Sequence, residues 1–178
     1  MPLGPAETLA LCGMMGSGKS TVAAVLGRLL GRRVAALDAA IAARAGKPIP
    51  RIFAEDGEAT FRALEREAVA SLPAGVVADL GGGAFCDPRS AALLLARGRV
   101  CFLDVSAAEA ARRLGGGEGR PLADRWEPLL AARLPLYRRA QLSVRVDGLS
   151  PEAVARRILG ALGRPAVPGP DALEVNPP

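Results

Sequence analysis

Nine residues near the start of the chain, Gly13-Met14-Met15-Gly16-Ser17-Gly18-Lys19-Ser20-Thr21, constrain its folding more than any others. They fit the spacing G-x-x-x-x-G-K-[ST], a loop whose backbone N–H groups cradle phosphate oxygens. Such a loop must join a strand to a helix. Thr8 to Cys12 is an apolar run of strand length, and residues 21–30 have helical periodicity. The helix brings the positive end of its dipole to the same point. Lys19 is then in reach of the outer phosphates of a nucleotide, and the Ser20 hydroxyl is placed for Mg²⁺. Gly13, Gly16, Ser17, Gly18, Lys19, Ser20 and Thr21 are the candidate ATP-binding residues of this loop.

Basic balance raises the question of nucleic acid. The net charge is +5 and the pI about 9.8. The cations are nearly all arginine, with only Lys19 and Lys47 as lysines, and they never run beyond pairs such as Arg112-Arg113. Aromatic residues make up only 3 %, leaving little to stack on bases. Spaced arginines fit a small anionic ligand instead, so neither a nucleic-acid nor a membrane partner is expected. Histidine is absent, which excludes His-based triads and His-ligated metals. Cys12, Cys86 and Cys101 lack metal-ligand spacing and read as reduced thiols of a cytoplasmic protein.

Further strands are expected at 33–37, ending at Asp38, then at 76–80, 100–104 and 142–146. Helices are expected at 39–45, 49–55, 58–72, 88–96, 106–114, 126–141 and 151–162, the last capped by Ser150 with Pro151 in its first turn. Alternating strands and helices predict an α/β fold in three layers, a five-stranded parallel sheet with helices on both faces. Ligands of such sheets sit beyond the carboxyl ends of the strands. The phosphate loop, Asp38 and Gly81-Gly82-Gly83 fall on that edge. Residues 115–125, rich in glycine, read as a flexible lid. One domain is expected over 1–164, with a disordered Pro-rich tail over 165–178.

Several ordered pieces together resemble the shikimate kinases, within the nucleoside-monophosphate-kinase-like group of P-loop proteins. They are the phosphate loop, Leu37-Asp38, Ile52 to Glu58 with Phe61-Arg62 and Glu65, Gly81-Gly82-Gly83-Ala84, Arg120-Pro121-Leu122, and Arg133 with Pro135-Leu136-Tyr137-Arg138. The resemblance spans about Leu9 to Leu162. It implies transfer of the ATP γ-phosphate to a hydroxyl of shikimate, with Mg²⁺, in aromatic amino-acid biosynthesis, by a monomer. It implies that Arg62 and Arg133 hold the substrate carboxylate and that Gly81, Gly82 and Gly83 approach the ring. Arginine's planar fork suits a carboxylate, and glycine lets backbone N–H groups come close to a ligand. Glu65 lies one helical turn from Arg62, either holding its guanidinium in place or forming a plain surface ion pair. Arg120 in the lid would neutralise charge on the transferring phosphoryl group, and Arg113 would lie near the nucleotide. Lys19, Arg120 and Asp38 are the implied catalytic set, with Ser20 and Asp38 on the metal side. Asp79 has two readings: a metal-side acid like that of other P-loop proteins, or a strand-end acid satisfied by backbone N–H groups.

Two positions depart from the family pattern. A second acidic residue is usual two positions after the metal-side aspartate, where it grips the substrate hydroxyls; here that position is Ala40. The loop after the last strand often carries an arginine on the nucleotide side; here it is Asp147-Gly148-Leu149-Ser150. Ala40 predicts slow phosphorylation of shikimate. It keeps open a related kinase for a different hydroxy acid, or a nucleotide-binding protein with little catalysis.

Overall fold

The computed structural model describes residues 3–114 and 122–163. Most of the expected lid, with Arg120, and the expected tail lie outside the described residues.

Strand β1, Thr8–Cys12, is buried along its whole length, as its unbroken apolar sequence requires. It lies at the centre of a five-stranded sheet of order β2-β3-β1-β4-β5, where β2 is Val34–Ala36, β3 Val77–Asp79, β4 Gly98–Asp104 and β5 Leu142–Arg145. Every pairing is parallel. β2 is an edge strand and correspondingly exposed.

Helix α1, Lys19–Leu30, follows the phosphate loop and stops at Gly31, which takes the left-handed conformation. It packs against the last helix, α8, Pro151–Ala161, whose Ser150 hydroxyl accepts the Ala153 N–H as a cap. Between β2 and β3 come α2, Leu37–Ala45, α3, Ile49–Glu55, and α4, Gly57–Ala70. α4 packs on α5, Pro88–Arg97. Right-handed crossovers put α4 and α5 on the face opposite α1 and α8. Two helices, α6, Ala107–Arg113, and α7, Leu122–Tyr137, lead from β4 to β5. Among the described residues, no helix is long and apolar enough to cross a membrane.

Most boundaries shift by a residue or two from expectation, and two of the differences matter. α7 begins at Leu122 and takes Pro128 and Pro135 into its interior. The second difference reaches the site: β2 ends at Ala36, and Leu37 and Asp38 open α2. Asp38 is a first-turn helical residue, not the last residue of a strand.

Candidate active site

The phosphate loop is built on glycines in conformations closed to other residues. Gly16 has φ 83° and Gly18 φ 85°. Gly18 sits immediately before α1, so the helix starts at Lys19 with its free N–H groups facing the loop. Lys19 Nζ donates to the carbonyls of Gly13 and Met14 at 3.0 and 3.1 Å. This pins the ammonium across the loop and half-buries it. Burial lowers its pKa; Asp79 opposes this most strongly among the carboxylates, ahead of Asp38, while Arg133 adds to it. Ser17 is fully buried and its hydroxyl has no hydrogen-bond partner, so this side chain belongs to the core. Ser20 and Thr21 are exposed in the first turn of α1.

A cavity of about 600 Å³ opens beside the loop. Lys19, Ser20, Asp38 and Asp79 line it together with Arg62, Glu65, Gly81, Gly82, Gly83 and Arg133. The connections after β1, β2 and β3 thus converge on one cleft, with side chains of α4 and α7 completing it. Arg62, on α4, donates to Glu65 at 2.8 Å and to Glu58 at 3.2 Å, and its guanidinium lies 5.2 Å from the centre of the Phe61 ring. Glu65 is only 2 % exposed, which removes the plain surface-pair reading. Desolvation raises its pKa and the Arg62 partner works against that rise. The glycine triplet allows close approach. A Cβ on Gly83 would run into the Arg62 guanidinium, and one on Gly81 would sit 2.7 Å from Asp38 Oδ1. Arg133, on α7, reaches to 3.2 Å from the same point on Gly82.

Arg113 ends α6 and braces the loop. It donates to Ser17 O at 3.2 Å, Gly16 O at 3.4 Å and Val146 O at 2.9 Å, with Glu109 holding its Nε at 2.7 Å. Arg112 and Arg113 together hold the Glu109 carboxyl down at about 2. Asp147, where an arginine was expected on family grounds, accepts the Ser106 N–H at 2.9 Å and pairs with Arg145. Its role is to tie the loop after β5 to the start of α6.

Ala40 lies elsewhere. It is exposed and lines a separate cleft with Ala35, Arg44, Ala68 and Leu72. Successive helical residues turn by about 100°, so with Asp38 facing the cavity, Ala40 faces away. The expectation that Ala40 leaves a hole in the substrate site is therefore corrected. It assumed a strand running through Asp38.

Two residues of the site had no role assigned from sequence. Tyr137 is fully buried, stacks on Phe102 with ring centres 5.0 Å apart, and donates to Gly82 O at 2.5 Å. Trp126 Nε1 donates to Met15 O at 3.3 Å. Their rarity was the available signal, since the chain has one tyrosine and one tryptophan. Buried Tyr and Trp need a polar partner, and here both find it in the backbone of the site.

Hard oxygen donors, Ser20, Asp38 and Asp79, line the cavity. Among the described residues no three His, Cys, Asp or Glu side chains gather closely enough to hold a metal by themselves. A magnesium ion carried in on nucleotide phosphates needs only one or two carboxylates, so the donor set fits.

A phosphate loop at the centre of a parallel sheet, opening on an arginine-lined cavity, defines a P-loop phosphotransferase for a small anionic acceptor. The family model described as shikimate kinase matches residues 15–163, and the chain belongs to the shikimate kinase family. A shikimate kinase of Limosilactobacillus fermentum is 47 % identical over 163 residues, covering 86 % of this chain and 94 % of that protein. One from Mycobacterium avium is 45 % identical over 164 residues, 85 % of this chain and 91 % of its own length. The structure of the Acinetobacter baumannii enzyme in complex with shikimate superposes with a TM-score of 0.82 at 31 % identity, over 88 % of this chain and 92 % of that one.

Proposed function

We propose that this chain phosphorylates shikimate with ATP in the cleft between the phosphate loop and the Arg62–Arg133 pair. One observation carries the reading. A phosphate cradle with Lys19 and Ser20 shares a single cavity with two arginines fit for a carboxylate.

The loop and the start of α1 hold the nucleotide phosphates, with Lys19 against the outer ones, and Arg113 keeps the loop in shape. Gly13, Gly16, Ser17 and Gly18 shape the backbone of that cradle, and Ser20 and Thr21 form the rest of its surface. Arg62 and Arg133 fix the acceptor carboxylate from α4 and α7. Gly81, Gly82 and Gly83 let backbone meet the ring of the acceptor. Bound Mg²⁺, held by Ser20 and the site carboxylates, would neutralise phosphate charge. The hydroxyl oxygen of the acceptor bonds to the γ-phosphorus as the bond from that phosphorus to the bridging oxygen breaks. ADP leaves with the electron pair, and the hydroxyl proton goes to a carboxylate of the site. Arg120 of the lid would complete the neutralisation. Free Cys12, Cys86 and Cys101 fit a reducing compartment, and the proposed location is the cytoplasm.

Readings with another acceptor, or with weak catalysis, drew on Ala40 as a defect in the site. Ala40 faces a different cleft, so that ground is gone. A coupled assay of ADP release over a panel of cyclic and linear hydroxy acids tests the proposal. Shikimate should support turnover of about 1–100 s⁻¹, the ordinary kinase range. A clearly better acceptor in the panel would replace it.

A further inference from the structure

The two carboxylates near the phosphate loop occupy different places in the fold. Ala36 and Asp79 are register partners at the carboxyl ends of β2 and β3, and Leu11 of β1 is the partner of Asp79 on its other side. Ala36 and Asp79 both line the cavity. The strand order β2-β3-β1 places β3 beside the strand that feeds the loop, with β2 one step further away. A carboxylate ending β3 is thus about 4.8 Å, one strand spacing, nearer the loop than one ending β2 would be. The nearer position carries the acid and the farther one a methyl group. Two carboxylates at these adjacent strand ends would repel, and Ala36 spares Asp79 that repulsion.

Asp38, in the first turn of α2, meets the glycine triplet. Its Oδ1 lies 2.7 Å from where a Cβ on Gly81 would sit, a point that is also 3.5 Å from Glu65 Oε1. Glu65 in turn grips Arg62. The Asp38 carboxylate is therefore grouped with the residues that receive the acceptor.

We propose that Asp79, ending β3 beside the strand that feeds the loop, is the metal-side carboxylate of this site, rather than Asp38. The proposal rests on the kinase reading above and assigns the metal within it. The sequence reading gives Mg²⁺ to Ser20 and Asp38 and leaves Asp79 between two roles.

Calorimetric titration of ADP, with MgCl₂ and with EDTA, and of shikimate alone, tests it on the full chain. Four proteins are compared: the unaltered chain, Asp79→Asn, Asp38→Asn and the exchange Ala36→Asp with Asp79→Ala. Asp79→Asn should cut the gain in ADP affinity given by Mg²⁺ about tenfold or more, the scale of one charge-assisted contact. Its shikimate affinity should stay within about twofold, and its ADP affinity in EDTA should hold or rise, since a negative charge leaves the phosphate pocket. Asp38→Asn should keep the Mg²⁺ gain and lose about tenfold in shikimate affinity. The exchange should recover part of the gain by presenting the acid one strand over. Thermal melting identifies an unfolded variant, for which Asp79→Ser or Asp38→Ser is then used. The proposal is overturned if Asp79→Asn keeps the Mg²⁺ gain, if Asp38→Asn abolishes it, or if both lose it equally. Failure of the kinase reading would look different. The unaltered chain would bind no shikimate, while its Mg²⁺-dependent ADP binding, which involves no acceptor, would still report on Asp79.

Discussion

Lys19 holds its charge in a half-buried place, and among the described residues its amine hydrogen-bonds to the loop's own carbonyls. Replacing it removes a desolvated charge and no core packing. Lys19→Ala should therefore leave the melting temperature within a few degrees of the unaltered chain. Phosphoryl transfer should fall at least about 10²–10³-fold, the usual loss for one charge-stabilising donor. Near-normal turnover would remove the loop from the chemistry. Tyr137 acts one step back, through the Gly82 carbonyl. Tyr137→Phe keeps the stacking on Phe102 and leaves that carbonyl only the weak 3.9 Å contact from the Cys86 thiol, at a cost of about 1 kcal/mol in stability. It is a positioning residue, so KM for shikimate should rise while kcat changes little. A fall in kcat with KM unchanged would contradict that role.

At the scale of elements, α4 presents Arg62 and the Glu65 that orients it from the same face. Glu65→Ala should raise KM for shikimate about tenfold by freeing the guanidinium, and leave KM for ATP unchanged. An equal rise for both would make the effect one of general stability. α2 gives the opposite kind of prediction. Ala40→Asp adds a carboxylate to a different cleft, so the shikimate rate should move less than about twofold. A tenfold gain would return that position to the site. This helix also marks where the sequence was readable and where it was not. The apolar run Val34-Ala35-Ala36-Leu37 cannot say where a strand ends and a helix begins, because Ala and Leu suit both. A shift of two residues there changed which side chains face the cleft. The strand–loop–helix around Lys19 carried no such ambiguity, since glycine conformations and a fully apolar strand fix it. The Glu65–Arg62 pair was legible from helical spacing, whereas its burial depended on how α4 packs. The bonds of Tyr137 and Trp126 to the loop backbones join residues 55 and 111 positions apart, which no local pattern announces.

Over the whole molecule, α7 couples the two halves of the cavity. Trp126 near its start touches the phosphate loop, and Arg133 and Tyr137, up to about 16 Å further along, touch the acceptor side. As the only tryptophan, Trp126 should change its emission when MgADP fills the loop. Unchanged emission at saturating nucleotide would mean that Trp126 and the loop are not coupled. The most direct measurement is phosphorus NMR of the unaltered chain with MgATP and shikimate. A phosphomonoester resonance should grow in step with ADP, with little free phosphate, because the cavity joins one nucleotide cradle to one carboxylate-gripping acceptor site. Inorganic phosphate as the sole new product, with shikimate unchanged, would contradict this by showing that the loop hydrolyses ATP without an acceptor.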